Sequence, residues 1–434
     1  MSIMKTHDIT LYGGTGEYNI ILRPLGDEHL PLLYKWNADP EVVFWSDTGN
    51  ADTFSEDDVR GIYESVSQNA FCFIAEVNEV PIGDFWLQRM NLTEITDKYP
   101  GLDVRRIEAT IGEKALWGKG IGTAVLGMLI DFAFNGENVD LLYCFAADYN
   151  VRSQKTLLKQ GFVLCGEEDA GAESLRAQKV YHYRLTRQEF IQRRRIRVPS
   201  EKVFELPLAE IQPSQLYISE GKLRLASGWF DPADKSVFDP IPVKRYNNQY
   251  LMTDGHTRAV LAKSAGWKTV PVTWDDDPLD MLAYAEDVRW CDEAGIKSAA
   301  DLPNHIVSHR EYEVLWHKRC MEMIIPPTFA AVVARFGGLD GRHRAIILTD
   351  NAMRETAKRI QAESVPFVKS VDVVNLDETD DCGAIYLLEP DDLLILHIGI
   401  DSWMGKHRSI AHAFDKPEGV SAKFICIRPT VTPQ

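Results

Sequence analysis

The stretch Leu116-Trp117-Gly118-Lys119-Gly120-Ile121-Gly122-Thr123 constrains this chain most, because it runs straight into the apolar segment Ala124-Val125-Leu126-Gly127-Met128-Leu129-Ile130. Three glycines at alternate positions ahead of a helical pattern describe a tight turn opening a helix. Glycine lets the backbone approach a ligand closely, and the unpaired N–H groups of a helix's first turn point at whatever lies there. With the helix dipole behind them, those groups suit a phosphate or pyrophosphate. Arg106 to Gly112, just before the turn, reads as a strand. The second and third glycines stand too close together for the dinucleotide fingerprint Gly-x-Gly-x-x-Gly. A glycine-rich turn is also how an ordinary helix can begin, so its flanks decide what it means.

A second segment follows, Asn150-Val151-Arg152-Ser153 through Leu157-Leu158-Lys159-Gln160-Gly161-Phe162. With Trp117-x-x-Gly120-x-Gly122 it resembles the GNAT acetyltransferase family. The acetyl-CoA signature of that family is (Gln/Arg)-x-x-Gly-x-(Gly/Ala), followed by an Asn-x-x-(Ala/Ser)…Tyr-x-Lys-x-Gly-Phe element. Leu33–Trp36, Val43–Trp45, Pro81–Gly83 and Arg105–Glu108 match, in order, segments of the aminoglycoside 6′-N-acetyltransferases and the related siderophore-type enzymes. The resemblance covers residues 1–195. It implies an α/β fold, a mixed β-sheet with flanking helices, and transfer of an acetyl group from acetyl-CoA to a small amine, aminoglycoside-like or siderophore-precursor-like.

The resemblance also places the coenzyme on Ile111, Trp117, Gly118, Lys119, Gly120, Ile121, Gly122, Thr123, Asn150, Ser153 and Lys159. Glu108 stands where the related aminoglycoside enzymes have a catalytic aspartate. A carboxylate there can take a proton from the substrate ammonium, directly or through water; the alternative is a surface glutamate paired with Arg105 or Arg106. Two positions depart from the family pattern. Trp117 replaces the usual Gln or Arg, and Leu157 stands where a tyrosine would protonate the leaving thiolate. Tyr143 and Tyr149 are close in sequence but off the motif. Trp45, Asp47, Trp86 and Asp103 are candidates for a substrate pocket, with Asp84 as a further charge, and Trp45 reads as a loop residue.

The chain holds 434 residues, enough for two to four domains each with its own core. Its net charge of −17 argues against a nucleic-acid partner. The excess is concentrated: residues through Phe190 hold 29 acidic and 17 basic side chains, net −12, against 35 and 30, net −5, in the rest. An acidic first part suits a polycationic amine. No run of eighteen apolar residues suggests a membrane helix, and Met1–Asp8 lacks the apolar core of a signal peptide. Seven cysteines without a Cys-x-x-Cys pair read as thiols in a reducing cytoplasm.

The basic end Arg193-Arg194-Arg195 leads into Val198-Pro199-Ser200, the expected linker. Residues 196–324 then resemble a ParB/sulfiredoxin-like domain with a helical extension, through the strand–turn–helix at Asp254-Gly255-His256-Thr257-Arg258. Gly255, His256 and Arg258 are its candidate phosphate site, implying a nucleotide; a degenerate site now used for packing is the equal alternative. That domain also carries the alternative function, a nucleotide-binding switch or small-molecule kinase with the first domain as a coenzyme sensor. Residues 325–434 are expected to form a small α/β, Rossmann-like region. His397, His407 and His412 show no metal spacing, and no metal is expected.

Overall fold

The computed structural model describes residues 2–323 apart from 16–17, 48–50, 173, 196–197, 247–248, 276, 278 and 280, and then 344–365, 368–378, 388, 392–397 and 423–426. The chain divides into two compact units. The first comprises Met1–Arg195 with Ser219–Gly228 and Val307–Glu322; the second comprises Ile196–Ile218, Trp229–Ile306 and Met323–Gln434. This differs from the expected division at 195 and 324: two segments from the middle of the chain pack with the first unit, and the remainder of the middle joins the C-terminal part.

The first unit is built on β1 (Leu11–Gly14), β2 (Asn19–Pro24), β3 (Ala70–Val77), β4 (Val80–Arg89), β5 (Val104–Ile111), β6 (Leu141–Ala147), β7 (Val163–Asp169) and β8 (Lys179–Thr186). They form one eight-stranded sheet in the order β1-β2-β3-β4-β5-β6-β8-β7. Its neighbours are antiparallel except β5 and β6, which run parallel and pair only from Val104 to Arg106 against Leu141 to Tyr143. Beyond Arg106 the two strands part, leaving the second half of β5 without a ladder on that side.

The helices of this unit include α1 (Leu30–Asn37), α2 (Pro40–Ser46), α3 (Glu56–Ser67), α4 (Thr93–Lys98), α5 (Ile121–Asp131), α6 (Val151–Lys159), α7 (Arg187–Arg193) and α8 (Glu220–Ser227), with a further helical run over His309–Met321. A serine followed by Glu56-Asp57-Asp58 predicts a helix start with Ser55 as N-cap, and Ser55 does cap α3, exchanging hydrogen bonds with Asp58. Two helices stand where the sequence reads as loop. Asp39 caps α2 by accepting from Glu41 N, with Pro40 in the first turn, so Trp45 sits in a helix. The polar stretch 91–103 folds α4 around buried Ile95.

The two faces of the sheet are covered by different helices. Val125, Leu126, Leu129 and Ile130 of α5 pack with Phe85, Leu87 and Ile107. Leu33 and Trp36 of α1 and Val59 and Tyr63 of α3 pack with Cys72 and Ile74. Each fully buried aliphatic side chain contributes roughly 1.5–3 kcal/mol. Register assigns the polar residues: Trp86 lies opposite Glu108 and Asp84 opposite Thr110. Directly opposed residues share a face, so all four point away from α5.

The second unit holds a five-stranded mixed sheet, in the order Ile211–Gln212, Gln249–Met252, Ile241–Tyr246, Thr269–Trp274, Val203–Pro207. A second sheet is wholly parallel, in the order Ser370–Asn375, Arg344–Thr349, Leu393–His397, Lys423–Cys426. Its central strands are buried apolar runs, as parallel strands covered on both faces require.

Candidate active site

The glycine turn has the geometry its sequence predicts. Gly118 and Gly120 take φ of 76° and 80°, in the left-handed region, and a Cβ on either would meet no atom within 4 Å. The backbone here is therefore open to a ligand. Gly120 is the N-cap of α5 and supplies no side-chain acceptor, so no cap takes the first N–H groups of that helix. Trp117 closes the turn from behind, its indole donating to the Ile111 carbonyl at 2.8 Å. Gly112 is required by close approach: a Cβ there would lie 2.1 Å from Trp36 Cγ.

α6 runs beside this turn. Gln160 Nε2 donates to the Thr123 carbonyl at 2.7 Å, which brings the Lys159 end of α6 next to the first turn of α5. At the other end Asn150 caps α6 through Ser153 N at 3.1 Å and donates to the Trp45 carbonyl at 2.7 Å. Its amide is thus committed to joining α2 to α6, not aimed at a ligand. Ser153 is half-buried in the first turn of α6 and Lys159 is exposed. Lys119 is exposed, with its ammonium 5.8 Å from the Tyr18 ring.

Arg152 joins the site although the motif assigns it no role. Its guanidinium lies 4.3 Å from the Trp45 ring and 5.2 Å from the Trp117 ring. A cation held between two indoles beside a phosphate-type turn is suited to an anionic group. The signal was present: Arg152 sits inside the Asn150 segment, two residues into its pattern.

Glu108 is bound by Arg106, whose Nε donates to Glu108 Oε1 at 2.8 Å and whose Nη2 reaches the same oxygen. Trp86 shares its face and packs on Tyr63 with ring centroids 5.4 Å apart. Asp84, two residues earlier, is fully buried. Burial pushes its carboxyl up to about 7, against the Tyr63 hydroxyl, which donates to Oδ2 at 2.6 Å. Its Oδ1 and the Trp86 Nε1 are both buried without a hydrogen-bond partner.

The remaining substrate candidates divide. Asp47 stands at the end of α2, where Tyr149 donates to its carbonyl at 3.1 Å. Asp103 does not reach this group: its carboxylate is held by Arg105 at 3.1 and 2.9 Å, and Arg105 also binds Glu137. Leu157 is buried in the core, and no hydroxyl stands at its position.

The candidate phosphate site of the second unit is closed by its own residues. Gly255 is left-handed at φ 86° and caps the helix His256–Ser264, but Arg258 donates to the carbonyls of Asp239 and Pro240 and to Asp254. His256 is buried, accepts from Ser214 N at 3.1 Å, and is pushed down to about 4 by burial. These interactions fit the packing alternative, in which the arginine organises its own loop.

Residues 19–163 match the family model described as the acetyltransferase (GNAT) domain. That part of the chain is a GNAT acetyltransferase domain. Over 157 residues the chain is 26% identical to the aminoglycoside N(6′)-acetyltransferase type 1 of Klebsiella pneumoniae, covering 33% of this chain and 74% of that protein. The protein of the same name from Serratia marcescens matches equally. Among solved structures, spermidine N-acetyltransferase from Vibrio cholerae with coenzyme A and spermine is 18% identical, with a TM-score of 0.34, over 40% of this chain and 98% of that one. The domain is of N-acetyltransferase type and its co-substrate is acetyl-CoA. Among the described residues no helix is long and apolar enough to cross a membrane.

Proposed function

We propose that the first unit transfers the acetyl group of acetyl-CoA to a primary amine of a small polycationic molecule, aminoglycoside-like or siderophore-precursor-like. One observation carries this reading. The uncapped N-terminus of α5 and the open glycines before it stand at the Ile111 end of β5, the half of that strand left unpaired where β5 and β6 part. The pyrophosphate then sits on the N–H groups of Gly118–Thr123, and the coenzyme arm lies along the unpaired half of β5. Lys119 and Arg152 add positive charge at the phosphate end. The excess of acidic residues in this part of the chain suits the amine.

In the transfer, Glu108 takes a proton from the substrate ammonium. The neutral nitrogen attacks the thioester carbonyl, the C–N bond forms, and the C–S bond breaks. The thiolate leaves, and the second proton of the attacking nitrogen reaches it through water, because Leu157 offers no acid. Trp86, on the same face as Glu108, walls the amine side, with Trp45 and Asp47 at the end of α2. Asp103, tied to Arg105, serves the sheet.

A second reading rests on Leu157: a domain that binds the coenzyme as a sensor and does not turn it over. Mass spectrometry of acetyl-CoA with a panel of aminoglycosides, polyamines and hydroxylamine-bearing amines separates the two. A product 42 Da heavier than one amine (the mass of an added acetyl group), formed with release of coenzyme A, supports transfer. Acetyl-CoA binding without any acetylated amine supports the sensor.

A further inference from the structure

The C-terminal end of α5, opposite its glycine turn, carries a buried cluster with no part in acetyl transfer. Asp131 is the last residue of α5, and the helical run 309–321 brings His309 and Glu313 against it. One ligand atom from each lies within 4.8 Å of the other two. His309 Nε2 is 4.0 Å from Asp131 Oδ2 and 3.6 Å from Glu313 Oε1.

Each side chain has its other polar atom held elsewhere. Arg194 donates to Asp131 Oδ1 at 2.9 Å, and the backbone N–H of Tyr12 donates to Glu313 Oε2 at 3.3 Å. Ser219 Oγ lies 3.0 Å from His309 Nδ1. When Nδ1 donates to that hydroxyl, the Nε2 lone pair is left facing the two carboxylate oxygens, the tautomer a metal ligand needs. His309 has a side chain only 6% exposed, and its Nε2, like Asp131 Oδ2, is buried without a hydrogen-bond partner. Two such orphan atoms facing each other in one cluster are uncommon unless something bridges them.

We propose that the first unit binds a divalent transition-metal ion, zinc foremost, through Asp131 Oδ2, His309 Nε2 and Glu313 Oε1. His317, whose Nδ1 is 3.0 Å from Glu313 Oε1, orients that carboxylate. Arg194 is 2.9 Å from Asp131 Oδ1 and Lys222 interacts electrostatically with both Asp131 and Glu313, so two cations already offset the carboxylates. Affinity therefore depends on the imidazole and on ligand geometry more than on net charge. That selects Zn²⁺ or Co²⁺ over Mg²⁺ and Ca²⁺, which bind through oxygen and charge. At about 1.5 Å per residue, α5 separates this site from the glycine turn by roughly 15 Å. The ion accordingly acts as a staple, fastening Ser219–Gly228 and Val307–Glu322 to the sheet.

The test uses the full chain stripped by a chelator, titrated with ZnCl₂ by calorimetry and with CoCl₂ by visible absorption. One zinc per chain is expected, with a cobalt spectrum typical of mixed nitrogen and oxygen ligation and no heat from MgCl₂. His309→Ala and Asp131→Asn should lose this site while circular dichroism shows an intact fold. Ser219→Ala should weaken zinc about 10–100-fold, as loss of a ligand-orienting partner does. No zinc uptake by the wild type, or equal uptake by the wild type and both ligand variants, overturns the proposal. If the ligand variants fail to fold, the wild-type cobalt spectrum decides, and absence of ligand-field absorption overturns it.

Discussion

Replacing Asp84 by asparagine separates the cost of burying this carboxyl from the rest of the fold. Burial raises its pKa from 3.8 to about 7, while Tyr63 donates to one oxygen and the other has no partner. An unfolded chain releases this proton near 3.8 and the folded chain near 7. Between those values the unfolded state binds fewer protons, so stability falls as pH rises, and it levels off above about 7. At about 1.4 kcal/mol per pH unit, the interval from pH 5 to 7 amounts to roughly 3 kcal/mol. Asparagine does not titrate and should lack this slope. Denaturant unfolding of both proteins at pH 5 and pH 8, followed by tryptophan fluorescence, gives the double difference and cancels every other titrating group. The variant should gain about 3 kcal/mol relative to the wild type on going from pH 5 to 8. Parallel profiles, within about 0.5 kcal/mol, would show that Asp84 is already ionised in the fold and refute the reasoning.

Glu108→Gln should lower turnover by roughly 10²–10⁴ while leaving coenzyme affinity nearly unchanged, and higher pH should restore part of the rate as more amine arrives neutral. Steady-state kinetics across pH measure this. Arg152→Ala removes the cation between Trp45 and Trp117 and should weaken acetyl-CoA binding without unfolding the domain, as calorimetry with a circular dichroism control would show. Gly112→Ala drives a methyl group into Trp36 and should cost about 1–3 kcal/mol or more, read as a lowered melting temperature.

Features set by neighbours along the chain were legible in the sequence. The Ser55 N-cap, the glycine turn into α5, and the Asn150 segment each depend on residues within one or two helical turns. α2 and α4 were not legible, because one is seven residues and the other six, too short for a periodic pattern. Asp84 could be named as a charge, but its burial beside Tyr63 depends on α3 folding over β4, which no local pattern encodes. Arg258 shows the converse. Its motif was visible, yet the carbonyls of Asp239 and Pro240 that engage it lie nearly twenty residues earlier. The Asp131, His309 and Glu313 cluster was hidden most deeply, since the stretches Ile196–Ile218 and Trp229–Ile306 of the second unit lie in sequence between Asp131 and the other two.

Calorimetric titration of acetyl-CoA into the full chain, beside the Gly120→Asp variant, tests the assignment of the glycine turn most directly. Gly120 has open space around its Cβ position, so an aspartate fits at a strain cost of about 1–2 kcal/mol and directs its charge at the bound pyrophosphate. The wild type should bind one acetyl-CoA per chain at sub-millimolar concentration, and the variant should lose that binding while keeping its circular dichroism spectrum. Equal affinity in both proteins, or no binding by the wild type, would contradict the assignment of the coenzyme to the N-terminus of α5.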